Sequence, residues 1–491
     1  MPKTEQKLMP AKLLDLAILG CLFAFALAAP HSIAGAQTAW LAGMALWASR
    51  FIFRPRPMLQ RTPVDYVLLG FFIVTGLSAF LSYEPMLSIG KLRAASLFTI
   101  VYLVAQNVSS LKVVRLLALT LIISCFANVV FTLGERAIGR GVKVHGVSET
   151  SALYAGGVRD GDTLLNVDGT SLRDPGELVA ALARPSSAFA DVRIYRFEWQ
   201  PTFKVPRGQL NPGNSPSEQL GISGWSRGRD WRASGFYGHY VTYAEVLQLI
   251  FAVTLGLFTC LPKKRSWLGV VLVVGLAGFL AALLLTVTRA VWLGCLFSSA
   301  LILLLTLRRR TMILIGALAI PLILAGLFVL QQKRNVGFVD RNDHSTTWRE
   351  IVWAEGASLL VSSPRHLVIG IGMDSIKKRA RQWGLFDGGR IPMGHMHSNF
   401  LQIALERGIP ALLLWLAFLF VYARTLWRRV REAPNVPWME RGILLGALGG
   451  LTGFFVSGVV HYNWGDSEVV MVLYFIMGMT LGLNRELRVK Q

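Results

Sequence analysis

The stretch Ser266–Leu305, SWLGVVLVVGLAGFLAALLLTVTRAVWLGCLFSSALILLL, contains a single charged residue, Arg289. On either side of its TVTR turn runs an apolar segment of about 20 residues, the length an α-helix needs to cross a bilayer core. Soluble domains do not carry many such runs. Here they recur along a chain that is 53% hydrophobic and only 16% charged. Hydropathy gives an all-α polytopic membrane protein of about twelve helices. The expected spans are 12–29, 33–53, 64–82, 91–107, 112–134, 239–261, 266–286, 289–307, 311–330, 408–427, 440–460 and 467–484. Leu13–Ala28 lacks a small-residue cleavage site and is followed at once by another span, so it reads as a retained first helix.

The short loops alternate in charge. RFIFRPRPMLQR, CLPKKRSW, LRRRT, ARTLWRRVREAPNVPWMER and the tail NRELRVKQ are basic, whereas PHSIAGA and HYNWGDSE are not. Placing both termini in the cytoplasm puts the basic set on one side, as the positive-inside bias requires. Much of the net charge of +22 is then topological and calls for no nucleic-acid partner. Cys21, Cys125, Cys260 and Cys295 all fall in apolar segments, which excludes a disulfide framework and a cysteine metal site.

This topology divides the chain into helices 1–5 (1–134), an outer insert (135–238), helices 6–9 (239–330), an outer loop (331–407) and helices 10–12 (408–491). The insert reads as a small α+β fold over about 140–205. GVKVHGV alternates like a strand, and GGVRDGDTLLNVDGTSL has the glycine and aspartate chemistry of tight turns. DPGELVAALA opens a helix with Asp174 as N-cap and Pro175 at the first position, and DVRIYRFEW is again a strand. The Gly/Pro/Ser-rich tract RGQLNPGNSPSEQLGISGWSRGRD is expected to be a linker back to the membrane.

Three residues at the outer face bear on chemistry. Arg289 sits in a turn of two or three residues at the membrane interface. It either snorkels to headgroups or offers its planar fork to a phosphate. HSTTWREIVWAEGASLL is an amphipathic helix, with Ser345 or Thr346 as cap and Arg349 in the first turn. A cation there opposes the helix dipole, so Arg349 serves either a solvated face or a ligand. The basic run KKRARQWG, just beyond, reads as a solvated face near headgroups. His397 precedes NFLQIALERGIPALLLWLAF, at the N-terminal end of a helix that Gly408 and Pro410 allow to bend. A helix N-terminus lowers an imidazole pKa, and a neutral imidazole accepts protons. A cap or interface histidine is the alternative. His395, His397, His344, Asp374 and Asp387 do not form a recognised metal-ligand spacing, so no metal is expected.

Two resemblances follow from these motifs. SALYAGGVRDGDTLLNVDG, Ser151–Gly169, resembles a bacterial PDZ domain, which implies either a structural insert or a docking module for a protein partner. The membrane part resembles the O-antigen ligase and polymerase superfamily. RAVWL (Arg289–Leu293) matches the family's arginine followed four residues later by leucine. TTWREIVW matches its second arginine segment, and HSNFLQIALERGIPA matches the ligase pattern of His, then Asn, Ser or Gln, then nine residues, then Gly. RASGFYGHYVTYAEVLQL, Arg232–Leu249, resembles the stretch that enters the membrane before the arginine turn. Ala411 departs from the pattern, which has Gly, Thr or Tyr at that place.

The resemblance implies an inverting, metal-independent glycosyltransferase of the bacterial inner membrane with its active site facing the periplasm and no cofactor. The donor would be a glycan on undecaprenyl pyrophosphate. Arg289 and Arg349, helped by Arg232, would bind the pyrophosphate, and His397 would be the general base. The implied acceptor is the lipid A–core sugar. A lipid-linked repeat unit (polymerase) or a protein (O-oligosaccharyltransferase) are the alternatives, and a lipid-linked glycan transporter is the non-enzyme alternative. The spacing to Gly408 selects His397 and leaves His395 a bystander.

Overall fold

The computed structural model describes residues 3–196, 200–308, 310–311, 344–391, 394–432 and 436–489. Residues 312–330 of the expected span 311–330 and the start of the following loop lie outside them. The chain divides into two units. One is Met1–Asn128 with Phe236–Leu284 and Thr288–Gln491, and the other is Val129–Gly235 with Leu285–Val287.

The first unit is helical. Its elements are α1 (Lys3–Ala28), α2 (Ile33–Arg50), α3 (Asp65–Phe80), the broken helical span α4 (Pro85–Asn107), α5 (Leu111–Ile138), α6 (Tyr240–Cys260), α7 (Trp267–Thr286), α8 (Arg289–Thr306), α9 (His344–Val361), α10 (Asn399–Glu432), α11 (Trp438–Ser457) and α12 (Ser467–Val489). The tail of α5 passes into the second unit. Among the described residues, nine of these segments are long and apolar enough to cross a membrane. The chain is thus a multi-pass membrane protein. Two of the twelve expected spans form helices that fall short. α3 has 16 residues, about 24 Å at 1.5 Å each, which is shorter than a bilayer core. α2 has 18 residues, but Gln37, Thr38, Ser49 and several alanines dilute it.

α6, α8 and α11 form the centre of this unit. The reason is the small residues between them, which let helices without a hydrophobic driving force pack backbone to backbone. A Cβ on Gly256 would lie 2.3 Å from the Gly442 carbonyl oxygen, and one on Gly446 would lie 2.4 Å from Val253 Cα. α10 is the longest helix, and it is interrupted at Gly408, whose φ of 80° and ψ of 166° are non-helical. Helical structure therefore starts at Asn399, nine residues before the expected span 408–427.

The outer loop has its own core. Val352 and Leu360 of α9 pack with Ile371, Ile376, Leu385, Phe386, Ile391 and Met396. Glu355 accepts the backbone N–H groups of Phe386 (2.6 Å) and Asp387 (3.0 Å), which hold left-handed φ values of 59° and 54°. α9 already includes His344, so Ser345 and Thr346 lie within the helix instead of capping it, and Arg349 is in its second turn. The basic run 377–381 is not simply solvated. Glu84 pairs with Lys378 and Arg379, both at 2.7 Å, and Tyr83 N–H donates to the Ile371 carbonyl, fastening the loop to the segment before α4.

The second unit is an antiparallel sheet of β1 (Arg140–Val147), β2 (Thr163–Val167), β3 (Thr170–Ser171), β4 (Phe189–Tyr195), β5 (Thr202–Pro206) and β6 (Ile222–Gly228). Its order is β5-β4-β2-β1-β6, with β3 paired to β2. Buried Val142, Val144, Leu164, Val192 and Ile194 meet Leu178 and Leu182 of the helix Pro175–Leu182. Asp174 caps that helix, accepting from Glu177 N at 3.1 Å, and Pro175 is at the first position, as the sequence predicts. The expected linker is a correction. Ser215 and Glu218 form a capping box for the helix Pro216–Leu220. Gly221 ends it in the left-handed region at φ 67°, and β6 then adds the edge strand to β1. Residues that signal a linker act here as helix caps.

Candidate functional site

Arg289 is the first residue of α8, half-buried, and follows Val287, whose φ of 52° is rare for a β-branched residue. The Thr288 carbonyl accepts the N–H groups of Val291 and Trp292, and Trp292 Nε1–H donates to the Leu283 carbonyl at 3.0 Å, closing the turn between α7 and α8. Arg232 belongs to the second unit, where its backbone N–H donates to Tyr195 Oη at 3.3 Å.

Arg349 and His397 come together. Trp353 lies four residues after Arg349, on the same face of α9. Its Nε1–H donates to the Met396 carbonyl at 2.8 Å, next to His397. The Arg349 charge is felt at the His397 imidazole. His397 holds a left-handed φ of 47°, a conformation histidine adopts more readily than most residues but still at a cost. Contacts on both sides maintain it. Met396 N–H donates to Gln402 Oε1 (2.7 Å), and the Ser398 carbonyl starts α10 by accepting Gln402 N–H (3.0 Å).

His395 is part of the same site, against expectation. Its Nδ1 accepts the His397 backbone N–H at 3.2 Å, and the two rings lie 4.0 Å apart. Spacing to Gly408 gave no sign of this, because it comes from the reversed backbone at His397. Burial pushes His397 down to about 2, reinforced by His395, Arg349, His461 and His239. Burial likewise pushes His395 down to about 4, with Lys377 adding to it. The direction for His397 is the one the sequence predicts, but burial and neighbouring cations cause it more than the helix terminus does. Both imidazoles are neutral at physiological pH.

The floor of the site comes from residues that sequence reasoning passed over. Asn399 is fully buried. Its Nδ2–H donates to Asn463 Oδ1 at 2.6 Å, and its Oδ1 accepts Trp464 N–H at 3.0 Å. Its own N–H is shared by the carbonyls of Gly458 (2.9 Å) and His461 (3.1 Å). Asn463 and His461 in turn reach Glu245 of α6. HYNWGDSE entered the sequence analysis only as a loop poor in cations. The usable signal was two histidine- and asparagine-bearing stretches at the same side of the membrane.

Of the side chains weighed as metal ligands, Asp374 pairs with Lys91 at 2.7 Å and Asp387 with Arg390 at 2.6 Å. Among the described residues no three His, Cys, Asp or Glu side chains gather into a metal-binding group. The site offers a guanidinium suited to phosphate, a pair of neutral imidazoles, and buried amides that fix both.

Residues 274–416 match the family model described as O-antigen ligase. This segment is similar to O-antigen ligase domains. The matched segment runs from α7 into α10 and includes Arg289, Arg349, His395 and His397. Over that segment the chain is similar to the O-antigen ligases, which suggests a membrane glycosyltransferase that uses a lipid-linked glycan donor and a glycan acceptor. Glu245 and the 461–464 turn lie outside the ligase segment. No curated protein matches the chain.

Proposed function

We propose that this protein transfers a glycan from undecaprenyl pyrophosphate to an acceptor hydroxyl at the periplasmic face of the inner membrane, with the lipid A–core sugar as acceptor. The observation that carries the reading is His397, half-buried and held neutral, with the Arg349 cation acting on it. The anomeric carbon of the donor leaves pyrophosphate, whose growing negative charge Arg349 and Arg289 stabilise with fork-shaped donors. His397 removes the proton of the attacking hydroxyl. Direct attack inverts the anomeric centre. Arg232 is proposed as a further pyrophosphate contact. The ligase match supports the transferase class, and the half-buried neutral imidazole under the influence of a guanidinium supports this division of roles.

The test is loss of the gene followed by examination of the glycoconjugates. Loss of long-chain lipopolysaccharide with accumulation of lipid-linked polymer supports ligation. Lipopolysaccharide capped by one repeat unit indicates polymerisation, and normal lipopolysaccharide with an unglycosylated protein indicates a protein acceptor. In the complemented strain, His397→Ala should abolish transfer while the protein still inserts. Full activity of that variant refutes the role of base.

A further inference from the structure

His395 and His397, two residues apart, build a small turn. His395 Nδ1 accepts the His397 backbone N–H at 3.2 Å, as an asparagine or aspartate side chain does for the residue two further on. An accepting Nδ1 holds a lone pair, so the neutral ring carries its hydrogen on Nε2. The left-handed φ of 47° at His397 closes the turn, and the two rings lie 4.0 Å apart, tilted by 43°. A third ring, Tyr462, has its centroid 5.7 Å from that of His395. Tyr462 is itself tied down. Its Oη–H donates to Glu406 Oε2 at 3.4 Å, and Glu406, 2% exposed, accepts Asp374 N–H through Oε1 at 2.9 Å.

One hydrogen bond and two ring contacts thus fix the orientation of His395, and its Nε2–H is left over. Neither that nitrogen nor either ring nitrogen of His397 makes a hydrogen bond among the described residues. None of the three is enclosed, so a bound molecule can reach them. Ordering a side chain this firmly has an entropic cost, yet no described residue uses the donor it presents. An attacking hydroxyl set against His397 brings its neighbouring atoms to the next ring. A sugar has oxygens on adjacent carbons. A neutral N–H suits such an oxygen, whereas a pyrophosphate calls for the guanidinium fork.

We propose that His395 binds the acceptor: its Nε2–H donates to the oxygen on the carbon next to the attacking hydroxyl, so the acceptor is a sugar held by two adjacent oxygens. The inference rests on the transferase reading above and adds a recognition contact to it. His397 takes the attacking hydroxyl and His395 takes its neighbour. The turn between them therefore sets which hydroxyl is presented to the base. A site built to hydrogen-bond one substrate hydroxyl discriminates strongly against an analogue that lacks it.

The experiment uses the purified full chain in micelles. Lipid A–core and the lipid-linked glycan, each extracted from a host strain lacking the gene, are varied one at a time. Two variants separate the two ring nitrogens. In His395→Asn the side-chain oxygen stands in for Nδ1 and keeps the turn, but the distal N–H is gone. In His395→Gln the terminal amide reaches the place of Nε2 and keeps the N–H, but the turn loses its hydrogen bond. His395→Asn should raise KM for lipid A–core about tenfold, the scale of one hydrogen bond, with KM for the donor unchanged. His395→Gln should keep KM for lipid A–core near wild type and lower kcat, because His397 loses its backbone tie. A wild-type acceptor KM in His395→Asn overturns the proposal. So does an equal rise in both variants, which a merely structural role would give, or a rise in the donor KM instead. If His395→Asn does not fold, an acceptor KM raised tenfold in His395→Gln overturns it and a wild-type value supports it. In each of these cases an inactive His397→Ala leaves the transferase reading standing. A wild-type chain that transfers nothing between its native donor and acceptor overturns both.

Discussion

Replacing Asn399 by alanine should loosen the site without touching any reacting group. The side chain is 0% exposed and answers two buried partners, the Trp464 N–H at 3.0 Å and the Asn463 Oδ1 at 2.6 Å. Each partner left unpaired costs about 1–3 kcal/mol, so the docking of the His397 loop onto the 461–464 turn should weaken by about 2–6 kcal/mol. Even the low end exposes the Trp464 amide roughly thirtyfold more often, at about 1.4 kcal/mol per factor of ten. The Asn463 amide has no easy way to turn and compensate. Its Nδ2 already donates to Glu245, to the Phe454 carbonyl (3.1 Å) and to Ser457 Oγ (3.0 Å). Asn399→Asp should therefore be at least as damaging, because it sets one carboxylate oxygen against Asn463 Oδ1. Hydrogen exchange of the 461–466 peptide in micelles, read by mass spectrometry beside the transfer rate, measures both effects. Wild-type protection and wild-type rate in Asn399→Ala would refute the reasoning.

Arg349→Met removes a cation that holds the His397 pKa down. That pKa should rise, so activity should be lost at a higher pH on acidification, together with a fall in rate from the missing phosphate ligand; a pH–rate profile checks both. Arg349→Lys should remain severely impaired at every pH, since an ammonium lacks the bidentate fork. Gly446→Val forces a side chain to within 2.4 Å of Val253 Cα and should destabilise the α6–α11 packing by at least about 1–3 kcal/mol, measurable as a lower unfolding temperature in micelles. Asp174→Ala removes the cap of the insert helix and should cost the insert about 1 kcal/mol, seen as faster limited proteolysis near 174–182 with transfer unaffected.

Hydropathy made the membrane helices legible because a bilayer demands a fixed apolar length. It is least decisive at α2 and α3, which form helices whose lengths or compositions sit at the edge of that demand. The 207–230 tract misled for a different reason. Ser, Pro and Gly are equally good at capping and at linking, and only the partner strand β1 decides between them. Arg349 and His397 could be singled out as candidates because each stands in a recognisable local motif. Glu245, Asn399 and His461 were not, because their meaning lies in contacts such as Asn463 to Glu245, which join positions 218 residues apart. The contact of His395 with His397 was not legible, because it depends on one backbone angle at His397.

The division of the site between two parts of the chain limits how its activity is transplanted. The segment 274–416 looks like a portable cassette, carrying Arg289, Arg349 and both loop histidines. Grafted into another scaffold, it would arrive with Asn399 but without the Asn463 and Trp464 that hold it, or the Glu245 behind them. The arginine and histidine would travel while the geometry stayed behind. Exchange of acceptor preference between relatives should therefore succeed only when α6 and the α11–α12 turn are moved as one piece with the loop.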